Sequence, residues 1–215
     1  MPSSFVSEME RHCRYVSLVE NDVLVATEDP VDKVFFLLTG ELRLSVYTRS
    51  GKVVSLRSAY PGEFIGDAAL NGGGLSPYTA EAAKPSTLAC VNARTFMEFA
   101  QKDARFLRAV FHQLVGRQVH LTEQIVELST MSMHARLHKE IVRMCRENMK
   151  VDGSSIVYPM PTHSELARRI GTQREAVSRE MSHLQQLGII VRREGGVLYV
   201  PDVSRLIVLQ MMLEE

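Results

Sequence analysis

Residues 161–181 read PTHSELARRIGTQREAVSREM, and two helices are written into them on either side of one glycine. Pro161 precedes Thr162, and Thr162 with Glu165 has the spacing of a capping box, in which hydroxyl and carboxylate satisfy each other's backbone amides. Gly171 ends that helix. Thr172 with Glu175 repeats the capping spacing, so a second helix is expected to start there. In it Val177, Met181 and Leu184 recur at i, i+4 and i+7, which makes one buried stripe. Glu175, Arg179 and Ser182 then face away from the stripe, with Arg174 at the rim of the first turn. Helix, tight glycine turn and helix make a helix-turn-helix.

The flanking sequence fits that reading. After Leu187-Gly188, IIVRREGGVLYV (189–200) holds two β runs around Glu194-Gly195-Gly196, the hairpin of a wing. Upstream, Ser132 to Met149 carries an amphipathic helix, and VDGSSIVYPMP (151–161) reads as a turn-rich connection. Charge follows the same segment. The chain has 25 basic and 25 acidic residues, so no chain-wide field attracts an anionic partner. Between His163 and Arg193, however, six arginines (168, 169, 174, 179, 192, 193) face three glutamates (165, 175, 180). The excess is modest, and it falls on the helix pair.

From Asp22 to about Ala93 the pattern is β. KVFFLLTG, ELRLSVYT, KVVSLRS and STLACVNA are short strand-like runs separated by Gly40, Ser50-Gly51, Pro61-Gly62 and Gly72-Gly73-Gly74. Turns at that spacing indicate an antiparallel sandwich or barrel. From Asp103 to about Thr130 the period changes to that of a helix. Leu107, Leu114, Leu121 and Leu128 step by seven, and Phe111, Gln118 and Ile125 form the offset row, with one polar residue at Gln118. Such a seam pairs with its own copy as a parallel coiled coil, or else packs on its own domain.

Several classes are disfavoured. Cys13, Cys90 and Cys145 are scattered and form no C-x-x-C pair, so no zinc site, iron-sulfur cluster or disulfide framework is expected. The start, MPSSFVSEMERH, lacks a signal-like apolar run, and no segment approaches a membrane span, so a cytoplasmic protein with no membrane partner is expected. Residues 14–111 contain no histidine, which leaves a β-barrel metalloenzyme without ligands. No catalytic residue is assigned.

A β-rich roll, a long dimerising helix and a winged helix-turn-helix in this order resemble the CRP/FNR family of bacterial transcription regulators, over essentially the whole chain. Gly40, Gly51, Gly62 and Gly66 match the family's glycine punctuation. Arg174, Glu175 and Arg179 match the R-E-x-x-x-R of its cyclic-AMP receptor branch, while Glu175, Ser178 and Arg179 also satisfy the E-x-x-S-R of the FNR branch. The resemblance implies an α+β fold: an antiparallel β-roll (double-stranded β-helix) in residues 1–103, a dimerisation helix and hinge in 104–131, and a winged helix-turn-helix in 132–215. It implies double-stranded DNA, a second copy of the chain and RNA polymerase as partners. Arg174, Glu175 and Arg179 would then read base edges. Arginine forks onto guanine O6 and N7 and glutamate accepts from cytosine N4, as in TGTGA-like half-sites in an inverted repeat. Glu175 has a competing role as the capping partner of Thr172. Thr162, Thr172, Gln173, Ser178, Ser182, Arg192 and Arg193 are candidates for the DNA backbone. Leu107, Phe111, Leu114, Gln118, Leu121, Ile125 and Leu128 would form the dimer interface.

Family members that bind cyclic AMP hold it with Gly-Glu and, about ten residues on, Arg-Ser. The corresponding stretch here offers Gly66-Asp67 followed by Ala68, and Tyr78-Thr79, with Leu121 and Thr122 on the long helix where the receptor has Thr-Ser. Tyrosine cannot neutralise a phosphate. The expected effector is therefore a small molecule other than cyclic AMP, or none; the alternative is a cyclic-nucleotide-responsive regulator with a degenerate pocket.

Overall fold

A continuous apolar run from Val34 to Leu38, then alternation at Leu42, Leu44 and Val46, commits this part of the chain to strands. The computed structural model describes residues 8–48, 53–146 and 148–213; Ser50 and Gly51 lie outside the described residues. The chain forms two compact units, Met1–His120 and Leu121–Glu215. In the first, β1 (Arg14–Leu18), β2 (Val23–Val25), β4 (Lys33–Tyr47), β5 (Val53–Ala59), β6 (Phe64–Ile65) and β8 (Thr79–Asn92) make one antiparallel sheet. Its order is β1-β8-β4-β5, with β2 on β8 and β6 on β4. The short β3 (Pro30–Val31) and β7 (Gly74–Leu75) pair separately.

Two strands were expected on either side of Gly40; the structure has one 15-residue strand, β4, running through it. The β4–β8 register shifts between Leu37 and Leu42. At the kink Gly40 has φ +90, and a Cβ there would lie 2.2 Å from Ser86 Oγ and 2.4 Å from the Pro85 carbonyl. Only glycine accepts both that φ and that approach, so it bends the pair without ending it. Leu37, Leu42, Leu44, Ile65 and Leu88 fill the sheet's core.

A second cluster joins Val34, Phe64 and Val91 to α1 (Ala93–Lys102) and the start of α2 (Ala104–Thr130) through Phe96, Phe99, Phe106 and Val110. Helix α1 had no sequence expectation, because it leaves β8 with neither Gly nor Pro between them. Asn92 caps it by accepting from the Arg94 amide at 2.9 Å. Helix α2 has the expected extent, with Asp103 Oδ1 accepting from the amides of Arg105 and Phe106 at 2.8 and 3.1 Å. It buries Phe106 and Val110. Leu107, Phe111, Leu114, Leu121, Ile125 and Leu128 are exposed, Phe111 by 65% and Ile125 by 64%. The heptad stripe therefore stays largely exposed on the single chain, with Leu128 lying beside Gly171.

The second unit holds α3 (Met133–Arg146), α4 (His163–Arg169), α5 (Arg174–Gln186) and α6 (Val203–Met212). Three strands accompany them, β9 (Ser155–Val157), β10 (Val191–Arg193) and β11 (Val197–Val200), in the antiparallel order β10-β11-β9. The wing hairpin is present as expected. The connection 151–161 is not all turn, since it supplies β9 as the third strand. Helix α3 also ends short of Met149, which makes a lone bridge to Ser155. Leu137, Ile141, Leu166, Val177, Met181, Leu184, Leu198 and Leu206 are fully buried, so α5 turns inward the stripe that its spacing defined.

Candidate functional site

The first helix of the pair is capped as expected. Thr162 Oγ1 accepts from the Glu165 amide at 3.2 Å, and Glu165 Oε2 accepts from the Thr162 amide at 2.7 Å. Thr162→Ala removes one half of this box, and about 1 kcal/mol of stability should go with it, read by urea unfolding with the slope unchanged.

The expected second box does not form. The Thr172 amide donates to the Ala167 carbonyl at 2.9 Å, so Thr172 belongs to the turn, and Gln173 is the N-cap with no side-chain cap bond. Glu175 thus sits at the second helical position, one residue too early to close a box. Its competing role disappears. Arg174, Glu175 and Arg179 are all exposed and have no hydrogen bond or ion pair among the described residues.

The neighbouring polar groups divide by what holds them. Ser182 Oγ donates back to the Ser178 carbonyl at 2.9 Å. Gln173 and Arg192 are exposed, while Thr172 and Ser178 are half-buried. The Arg193 guanidinium stacks 4.1 Å from the Tyr199 ring. Arg169, grouped in sequence with the solvent-facing arginines, reaches the buried Glu140 carboxylate at 3.1 Å. Glu165 is spent in its cap and Glu180 is buried. Of the three acids in the His163–Arg193 run, Glu175 is the one fully exposed, and Arg169 is in turn withdrawn to Glu140. His163, which carried no DNA role in the sequence reading, lies within the field of Arg174 and Arg192. Partial burial and those two cations hold it below the usual imidazole value.

In the first unit Gly66, Asp67 and Tyr78 are brought together and bonded to one another, while Thr79 pairs with Thr27. Gly66, at φ +93, starts the short 3-10 helix Asp67–Asn71, and a Cβ there would lie 2.3 Å from the Lys33 carbonyl. Tyr78 Oη donates to Asp67 Oδ1 at 2.8 Å and accepts from the Gly66 amide at 3.4 Å. Burial, and then Asp67, raise the phenol well above its usual value, so Tyr78 stays a neutral donor. Thr79 Oγ1 is 3.0 Å from Thr27 Oγ1. Ala68 is half-buried in the 3-10 helix, and Leu121 and Thr122 are exposed on α2. The sequence reading missed Arg117. It enters from α2, where only the apolar seam and Leu121-Thr122 had been considered. Its Nη1 lies 3.7 Å from Asp67 Oδ2, its Nη2 donates to the Phe64 carbonyl, and its guanidinium sits 4.3 Å from the Phe64 ring. Arg117 Nε and Nη1 are buried without a hydrogen-bond partner. Lys84, another possible source of positive charge, is tied to Glu41 at 2.8 Å.

A β-sheet domain with a closed polar pocket, followed by a winged helix-turn-helix with a free Arg-Glu-Arg face, defines a DNA-binding regulator. Residues 15–103 match the cyclic nucleotide-binding domain model, and residues 135–209 match the Crp-like helix-turn-helix domain. The chain is 19% identical to the cAMP-activated global transcriptional regulator Vfr of Pseudomonas aeruginosa, over 83% of this chain and 86% of that one. It is 26% identical to the transcriptional regulator SdrP of Thermus thermophilus, over 85% and 87%. The solved structure of CLP from Xanthomonas campestris, described as a c-di-GMP responsive global regulator, superposes with a TM-score of 0.81 over 93% of this chain and 99% of that one, at 19% identity. The chain belongs to the CRP/FNR family of transcription regulators. Among the described residues no helix is long and apolar enough to cross a membrane.

Proposed function

We propose that the protein works as a homodimer that reads an inverted repeat of TGTGA-like half-sites, and that its bound state engages RNA polymerase. One observation carries the DNA reading. Arg174, Glu175 and Arg179 stand free on a helix whose opposite side, Val177, Met181 and Leu184, is fully buried. A helix fixed in that way offers bidentate donors and an acceptor to base edges without first breaking intramolecular bonds. The domain limits 1–103, 104–131 and 132–215 follow from the same assignment of roll, dimer helix and winged helix-turn-helix. Relatives of this architecture are regulators rather than enzymes, and no catalysis is assigned.

Randomised-site selection with purified protein tests the proposal, which requires a two-fold symmetric motif with half-site centres about one helical turn apart. Arg179→Ala should cost about 1–3 kcal/mol per half-site and relax the preference for its guanine. Arg192→Ala should weaken all sequences alike and lower the salt slope by about 1, as loss of one phosphate contact does. A selection that returns only asymmetric sequences would overturn the reading.

For the effector, the self-paired Tyr78 and Asp67 support control by a ligand other than cyclic AMP, or by none. A second reading, a cyclic-nucleotide-responsive regulator, is favoured by the buried Arg117 donors, which retain positive charge beside Asp67.

A further inference from the structure

Helix α5 carries a carboxylate in the middle of its apolar stripe. Glu180 stands between Val177 and Leu184 on the buried face, with its side chain 8% exposed. An ionised carboxylate in that position is strongly destabilising unless it is paired. Two imidazoles of α3 meet it, four residues apart and so on one face of that helix. His138 Nε2 lies 2.7 Å from Glu180 Oε1, and His134 Nε2 lies 3.4 Å from Glu180 Oε2. His138 is itself buried, and its other nitrogen, Nδ1, has no hydrogen-bond partner.

That orphan nitrogen fixes the protonation state. A neutral His138 with its proton on Nε2 donates to Glu180 and leaves only a bare lone pair at Nδ1. An imidazolium would instead bury an N–H with no acceptor, which costs more. The observed packing therefore fits neutral His138 against ionised Glu180. His134 is half-exposed and lies against the carboxylate's other oxygen. His183, one turn beyond Glu180 on α5, also lies within the field of His138. No other charged group bears on His138 by as much: burial lowers its proton affinity, Glu180 raises it, and His134 and His183 lower it.

We infer that Glu180 is a positioning residue for DNA recognition, and that protonation of the His134–Glu180–His138 cluster loosens the α3–α5 seam and weakens DNA binding as the pH falls. This rests on the DNA-binding reading above. Arg179, adjacent to Glu180 in sequence, is a proposed base reader, so a shift of the α5 backbone at Glu180 displaces it. The sign separates this device from simple electrostatics. Protonating exposed imidazoles such as His183 adds positive charge beside phosphates, which tightens DNA binding at low pH. The buried cluster predicts the opposite. The linkage sign agrees. His138 binds its proton less readily when folded than when unfolded, so its contribution to stability is complete above the usual imidazole value and is lost as the pH falls below it.

The test is DNA affinity by fluorescence anisotropy between pH 7.5 and 5.5, with full-length protein, its selected site and constant ionic strength. Wild type should lose up to about tenfold, since one linked proton with the ordinary imidazole value of about 6.5 in the loosened state gives at most a decade per pH unit below it. His138→Gln keeps a donor where Nε2 stands and cannot titrate. It should bind as wild type at pH 7.5 and lose little at pH 5.5. A wild-type affinity that is flat or rises on acidification overturns the inference, as does a His138→Gln profile that matches wild type. If His138→Gln does not fold, judged by circular dichroism, His134→Gln takes its place, and there a shallower fall supports the inference and an unchanged one overturns it. Should wild type bind no site even at pH 7.5, the DNA reading itself fails. The seam is then read without DNA, from the protection of the α5 amides relative to their intrinsic exchange rate at each pH, which must fall between pH 7.5 and 5.5; unchanged protection overturns the inference.

Discussion

Leu114→Asp combined with Leu121→Asp converts the protein to a monomer in sedimentation and lowers its affinity for a palindromic site by about 100-fold or more. Both leucines belong to the heptad row of α2 and are exposed in the single chain, so the substitutions leave each protomer's own core intact. Circular dichroism and the urea slope should stay as in wild type, which separates loss of pairing from loss of folding. In a coiled coil each change would bury an unpaired carboxylate against its symmetry mate. Several kcal/mol per residue is the usual scale for an uncompensated buried charge, more than leucine packing at those positions returns. The drop in DNA binding follows from geometry. A dimer presents its second helix-turn-helix at high effective concentration once the first is seated, and a monomer forfeits that gain of about two to four decades. A double variant that stays dimeric would move the interface off this seam.

Calorimetry with cyclic AMP and cyclic GMP gives the second large effect. Wild type should show no binding in the micromolar range, and Tyr78→Arg should gain it. Losing a hydrogen bond to a charged group is worth about 1.5–3 kcal/mol, so an absent arginine fork removes roughly 3–6 kcal/mol, about a hundred-fold or more in affinity. The structure adds an obstacle. Tyr78 Oη already donates to Asp67 Oδ1 at 2.8 Å, and Arg117 Nη1 lies 3.7 Å from the other oxygen. A ribose hydroxyl must share the acid with both. Micromolar binding by wild type would instead mean that Arg117 turns its free donors to the phosphate, and Arg117→Gln would then abolish it.

Some of this was legible in residue order alone. Spacings of three, four and seven are local geometry, and they located the capped α4, the buried stripe of α5, the wing and the full extent of α2. The family resemblance, not residue order, marked the Gly66-Asp67 and Tyr78-Thr79 pairs as the expected pocket, since this chain has a tyrosine where the cyclic-AMP receptor pattern has an arginine. Boundaries set by competition between hydrogen bonds were not legible. Thr172 and Glu175 have the spacing of a cap, yet the turn claims the Thr172 amide and starts the helix one residue later. Gly40 reads as a break, and only the close approach of Ser86 and Pro85 shows that the strand continues through it.

Tertiary structure alone decided the pairings between residues distant in sequence. Asp67, Tyr78 and Arg117 come from a 3-10 helix, a strand-flanking loop and the long helix; the family resemblance put the first two in one pocket, and nothing in the pattern of the long helix announced Arg117. The same holds for Glu180, which a charge count places on the surface with Arg179. A helix exposes or buries a residue according to what packs against it, and α3 brings His138 to that carboxylate at 2.7 Å. The sequence by itself determined the helix pair, the wing, the long helix and which face of α5 is buried. The meeting of those elements decided which charges remain free to act, since a charge is available to a partner only where the fold has not already paired it.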